Sequence, residues 1–273
     1  MPNSNVHKFD RDTFAEKDHE NRLRIGEVEF ATERPHRFGL VITGPIDTSP
    51  IHNAADFVAD YLHQILLAPA HRSEFFALIS KEGLVVCRNV SSNAESYRSV
   101  RGKSSTGRLS QAEYFHHDGC SCPQKPRINE IRLPMTSQDR NVATAIAPFG
   151  DVVRAQLDAL PERLLCESSI LEYRDAFKND SPPPANEWDK IQGRVTRLIR
   201  REMDAESARA YFRQVDRLAG AFDLPWQVGE SRLMLNDDPD LTRTVQHRRA
   251  YQRPKVQNEV NGSLVKRWTA EEI

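Results

Sequence analysis

The sequence predicts an α+β fold in which strands from both halves of the chain close one core around a helical middle. Three observations carry this. Short runs that are alternating or continuously apolar recur at 37–44, 84–90, 127–134, 141–147, 226–237, 242–251 and 263–270, the length and pattern of strands. Runs with apolar residues three and four apart fall at 54–67, 73–83, 149–165 and 189–220, the pattern of amphipathic helices. Read in order, helices come first, then strands, helices and strands again, which fits a central antiparallel β-sandwich better than two autonomous halves.

Each element has a local reason. Residues 1–35 are polar and charged and predict an extended arm or short edge elements. RFGLVITG (37–44) predicts a strand closed by Gly44-Pro45. The helix at 73–83 ends on Gly83, a residue suited to a helix C-terminus, and the β-branched LVVCRNV (84–90) follows as a buried strand. Residues 91–112 are rich in Ser, Gly and Arg and predict a long loop. Pro123 and Pro126 keep 119–126 irregular. RINEIRLP and NVATAIA predict strands, and 149–165 a helix punctuated by Pro161. SPPPANEWDK (181–190) is linker-like, but the remainder is too short to read as its own fold. The expectation is one domain over 1–273, with 1–35 as an arm and 181–220 as a helical insertion between the halves of the core.

Composition narrows the function. The 273 residues carry 38 Lys+Arg against 39 Asp+Glu, a net charge of −1. That excludes a nucleic-acid binder relying on whole-surface basicity. No run of 18 apolar residues predicts a membrane span, and the N-terminus has no apolar leader core. A cytoplasmic, reducing setting is the expectation, with Cys87, Cys120, Cys122 and Cys166 as thiols. Oligomeric state is not legible.

The sharpest local feature is His116-His117-Asp118-Gly119. On an extended segment, residues i and i+2 share a face. His116 and Asp118 therefore converge, while His117 points away, either to pack on the opposite sheet face or to support a ligand or touch substrate. One imidazole and one carboxylate make two metal ligands; His247, inside the strand pattern TRTVQHRRAY, is the candidate third. Two His and one carboxylate on one face of an octahedron suit Fe(II) and leave positions open. A His-x-Asp pair alone equally fits a strand residue followed by a turn. Cys120 and Cys122 stand beside it, but a zinc site needs two more ligands, and none lies at finger-like spacing. Tyr97, Arg98, Arg101, Lys103 and Arg108 offer either a cationic wall for an anionic substrate or a solvated loop.

With its neighbours, this segment resembles the Fe(II)/2-oxoglutarate-dependent oxygenases of the taurine dioxygenase/clavaminate synthase type. The likeness covers roughly 70–270 at motif level. FFALISKEGLVVCRNV is similar to that family's helix and entry strand. FHHDG matches its His-x-Asp/Glu motif. Thr144 lies 26 residues beyond Asp118, where the family has a threonine. WQVGESRLMLNDDPDLTRTVQHRR resembles its distal-histidine block, with Gly229 at the turn, and LVKRW follows.

The resemblance implies a double-stranded β-helix (jelly-roll) core with flanking helices. It implies Fe(II) held by His116, Asp118 and His247, with O₂ and 2-oxoglutarate as co-substrates. Thr144 and Arg267 would hold the distal carboxylate of 2-oxoglutarate, with Lys266 and Arg249 as rivals to Arg267, and Arg101, Lys103 and Arg249 would face substrate. The implied reaction is hydroxylation of a small polar metabolite, an amino acid or related acid, releasing succinate and CO₂. The 20 residues from His247 to Arg267 exceed the family's usual gap, and QRPKVQNEVNG absorbs them as loop. Two other readings stay open: a metal-binding jelly-roll protein without turnover, and a cupin-like metalloenzyme that does not use 2-oxoglutarate.

Overall fold

A computed structural model describes residues 21–46, 61–90, 98–101, 114–117, 127–132, 143–165, 168–225, 229–237, 244–249 and 261–268. The polar N-terminal stretch contributes more than an arm. β1 (Arg22–Ile25) and β2 (Val28–Glu33) form an antiparallel hairpin, and β2 pairs with β3 (Leu40–Pro45). Strands, not helices, therefore open the described chain. Ile25 and Phe30 are the hairpin's buried anchors, at 1% and 0% exposure; Leu23 and Val28 pack beside them, so RLRI and VEF do alternate, but over runs too short to stand out among the surrounding charges.

α1 (Arg72–Glu82) stops where predicted, at Gly83, whose φ of +73° costs a Cβ-bearing residue strain. β4 (Leu84–Cys87) follows and is buried throughout. It pairs with β3 in parallel, Leu40 opposite Val85, so the sandwich is not wholly antiparallel. A parallel neighbour requires a crossover, and the stretch between β3 and β4 holds α1 and a π-helical turn at Leu62–Leu66, inside the predicted helix 54–67. Residues 54–60 of that helix lie outside the described residues. Inside the predicted loop 91–112 sits a strand, β5 (Arg98–Arg101), paired with the strand Asn261–Trp268 near the end of the sequence. Its partner is remote in sequence, so local composition hides it.

The later strands are β6 (Ile128–Arg132), β7 (Ala143–Pro148), β8 (Phe222–Pro225), β9 (Ser231–Leu235), β10 (Val245–Arg249) and β11 (Asn261–Trp268). They build a large sheet ordered β1-β2-β3-β4-β9-β6-β11-β5 and a small sheet ordered β10-β7-β8. An isolated antiparallel bridge from His116 to His247 adds a further extended segment beside β10. From β5 onward the chain runs large sheet, His116 segment, large sheet (β6), small sheet (β7, β8), large (β9), small (β10), large (β11).

Between β7 and β8 come four helices: α2 (Phe149–Asp158), α3 (Ser168–Lys178), α4 (Trp188–Glu202) and α5 (Ala205–Ala219). The sequence pattern does not single out α3, and the predicted 189–220 helix is two. Asp204 divides them: its side chain accepts the Ser207 amide hydrogen at 2.8 Å and caps α5. That amide bond, before the Ser207 hydroxyl, holds the Asp204 carboxyl below its ordinary range.

Three apolar clusters layer the molecule. Phe38, Val41, Leu84, Val86, Ile146, Leu224, Met234 and Val245 come from both sheets and fill the space between them. Alternate residues of the large sheet, such as Val85, Leu233 and Leu235, pack with Phe75, Phe76 and Ile79 of α1 on its far side. Ala145 and Ala147 of the small sheet pack with α2–α5 on the other. Among the described residues, no helix is long and apolar enough to cross a membrane.

Candidate metal centre

His247 sits centrally in β10 and is 8% exposed. Alternation fixes its direction. Gln246 and Arg248 bond to the helix layer, through Gln192 of α4 and Asp216 of α5. Val245 joins the cluster between the sheets. His247 shares the parity of Val245 and so faces the inter-sheet space.

His116 is brought alongside by two main-chain bonds. Its N–H donates to the His247 carbonyl at 3.1 Å, and the His247 N–H donates to the His116 carbonyl at 3.3 Å. The rings follow, with centroids 4.6 Å apart at 51°. His116 Nδ1 lies 2.6 Å from the Tyr114 carbonyl oxygen. A carbonyl only accepts, so Nδ1 carries the proton and Nε2 holds the lone pair a metal ion needs. Tyr114 is anchored by a T-shaped contact with Phe212 at 4.9 Å and by the Arg200 guanidinium over its ring at 4.7 Å. His117 turns to the other face, as predicted, and packs edge-on against Phe149 with centroids 4.8 Å apart.

Asp118, the expected carboxylate, lies outside the described residues, as do Lys103, Cys120, Cys122 and Cys166. Among the described residues no group of three His, Cys, Asp or Glu side chains could hold a metal; the two imidazoles are the described part of the constellation. Two juxtaposed imidazoles, one with its Nδ1 bonded to a main-chain carbonyl so that Nε2 is the nitrogen offered to a ligand, fit a borderline divalent ion.

Thr144 is 9% exposed on β7 and shares the parity of Ile146, which lies between the sheets. It is register partner to both Arg249 on β10 and Leu224 on β8. Arg249 stands two along from His247, on the same face of the strand. In the large sheet, Arg267 is opposite Asn129, and Asn129 is opposite Met234. Met234 belongs to the inter-sheet cluster, so the Arg267 position is on the face turned toward the small sheet. Lys266 is opposite Glu130, itself opposite Leu233 on the α1 side. The register thus separates the two rivals by face. Arg101 ends β5, opposite Asn261.

Sequence reasoning passes over Arg232. It alternates with Met234 on β9, so it occupies an interior position, fully buried at 0%. Its Nε donates to Glu230 Oε1 at 2.5 Å and its Nη2 to the Leu224 carbonyl at 3.0 Å, next to Thr144 in the small sheet. Burial pushes the Arg232 guanidinium down to about 10, with Glu230 opposing. Burial also raises the Glu230 carboxyl, with Arg232 opposing. The signal was present in SRLML: an arginine at an apolar parity position.

No family model matches the sequence, and no curated protein matches it. Among solved structures, the chain is similar to AAD-2 in complex with Mn(II) and N-oxalylglycine, at 12% identity over 88% of this chain and 98% of that one, with a TM-score of 0.42. It is similar to PvcB, an Fe, alpha-ketoglutarate dependent oxygenase from an isonitrile synthetic pathway, at 10% identity over 90% and 93% of the chains, TM-score 0.46. A taurine dioxygenase from Burkholderia xenovorans matches at 9% identity over 89% and 90%, TM-score 0.42.

Proposed function

We propose that the chain is a single-domain Fe(II)- and 2-oxoglutarate-dependent dioxygenase with a double-stranded β-helix core. The observation that carries this is the reciprocal main-chain pairing of His116 and His247, which sets two imidazoles side by side. The alternation of the chain between the two sheets from β5 to β11 supports the β-helix reading.

In this reading His116, Asp118 and His247 hold the iron. The bound ion supplies a Lewis-acidic, redox-active centre at which O₂ and 2-oxoglutarate react, yielding succinate, CO₂ and an oxidised substrate C–H. The chain's own part is positioning and exclusion of water. The Tyr114 carbonyl keeps the His116 proton on Nδ1, so Nε2 stays unprotonated without loss of orientation. Thr144 and Arg267 take the distal carboxylate of the co-substrate, the guanidinium by a planar fork of donors and the hydroxyl by one neutral bond. The inter-sheet cluster beside them keeps the interior dry, which strengthens each of those contacts. Arg249, and Arg101 and Lys103 from the segment before the metal strand, supply positive charge for a small polar acid, an amino acid or related compound, as substrate.

The test is anaerobic addition of Fe(II) and 2-oxoglutarate to the intact protein. The weak visible charge-transfer absorption of the chelate is the expected result; His116→Ala or His247→Ala abolishes it, and abolishes succinate release once O₂ is admitted. Tight Fe(II) binding with no response to 2-oxoglutarate refutes the co-substrate assignment and leaves a metal-binding jelly roll.

A further inference from the structure

We propose that the Arg248–Asp216 ion pair, its guanidinium buried and its carboxylate 23% exposed at the edge of the helix layer, positions both metal-ligating histidines, so that a side chain in the helix layer sets the metal affinity of the site. The inference rests on the two-histidine reading above. Arg248 follows His247 directly, and alternation sends its side chain to the opposite face, among the helices. There Nε donates to Asp216 Oδ1 at 2.8 Å and Nη2 donates to Oδ2. The Arg248 side chain is 1% exposed.

The same guanidinium lies over the Phe115 ring, 5.5 Å from its centroid. Phe115 immediately precedes His116. One group therefore bears on both ligand segments, on His247 through its own main chain and on His116 through the neighbouring ring. On the other side of His247, Gln246 and Gln192 exchange amide hydrogen bonds of 2.6 and 2.7 Å. The residues flanking His247 are thus tied to α4 and α5 by directional bonds through an otherwise apolar layer.

The physical distinction is between adhesion and register. An apolar contact tolerates sliding, whereas a two-pronged guanidinium–carboxylate pair fixes distance and plane together. Desolvation makes such a pair poor value in stability, and apolar residues of similar volume often replace it without loss. What they do not reproduce is orientation. Two imidazoles with centroids 4.6 Å apart must aim lone pairs at one point, and partners behind metal ligands govern that aim.

The test titrates Co(II), as a visible probe, into the full-length wild type, Asp216→Asn and the double variant Arg248→Met/Asp216→Leu, with thermal melts alongside. The wild type is expected to bind Co(II). Both variants are expected to bind about tenfold to a hundredfold more weakly, with a changed ligand-field spectrum, and the double variant to melt no lower than the wild type. Asp216→Asn strands a buried cation and can fail to fold; the double variant is free of that defect and decides the question by itself. A folded double variant with wild-type spectrum and affinity within twofold overturns the inference, as does a double variant that loses the fold, which would make the pair structural. A wild type that takes up no Co(II) refutes the two-histidine reading and this inference with it, whereas a binding wild type with unaltered variants refutes the inference alone.

Discussion

Arg232→Met isolates the Arg232–Glu230 ion pair, which is buried at both ends. Arg232 and Glu230 are each 1% exposed, so deleting the cation leaves a carboxylate in the interior with its nearest counter-charge gone. Breaking such a pair costs about 3–5 kcal/mol. The Leu224 carbonyl also loses the Nη2 donor at 3.0 Å, roughly 1 kcal/mol more. At about 2–4 °C per kcal/mol for a domain approaching this size, the melting temperature should fall by roughly 10 °C or more.

The loss has a pH signature. Burial already raises the Glu230 carboxyl, and Arg232 opposes that rise; without Arg232 it climbs further. A carboxyl whose folded pKa exceeds its unfolded pKa binds more protons in the folded state between the two values. Stability then falls as pH rises through that window. The penalty of Arg232→Met should therefore be greatest above the folded pKa and shrink as acid protonates Glu230. The double variant Glu230→Met/Arg232→Met removes both charges and should recover most of the loss. Urea unfolding followed by circular dichroism across roughly pH 5 to 8 reads the wild type and both variants. A penalty that does not vary with pH, or a double variant as unstable as the single one, would refute the reasoning.

Two further outcomes follow from named geometry. Arg267→Gln should raise the half-saturating 2-oxoglutarate concentration at least tenfold, while Lys266→Gln, placed on the α1 side of the sheet, should leave it within about twofold; the reverse pattern in a succinate-release assay would undo the register argument. Gly220 ends α5 with φ +58°, and a Cβ there meets Arg37 Cζ at 3.1 Å. Gly220→Ala should cost about 1–2 kcal/mol of left-handed strain, seen as a lowered melting temperature, and an unchanged melt would contradict it.

The sequence was most legible where the decisive interaction is local. The stop of α1 at Gly83, the β6 and β7 strands and the two faces of the His116-His117 segment depend on near neighbours and on period alone. It was least legible where a partner comes from far along the chain. β5 is a strand because β11 pairs with it, and Arg98–Arg101 carries no apolar alternation of its own. Two local signals were passed over as well: the β1–β2 hairpin alternates only over the short runs RLRI and VEF, set among charges. The 189–220 helix divides because Asp204 caps a new one, a signal visible only as an acidic residue three before Ser207.

For the site, the sequence by itself named His116 and His247 as candidates, because residue chemistry and alternation are written in the chain. Only tertiary structure decided that they are neighbours, 131 positions apart, through two main-chain hydrogen bonds. Only the strand register decided which of Arg267 and Lys266 takes the inter-sheet face, since a shift of one residue exchanges them. Arg232 and Arg248 read as ordinary charges until burial and their partners gave them weight. Charge is composition, but its cost and its direction depend on what packs around it, and packing is a property of the whole fold.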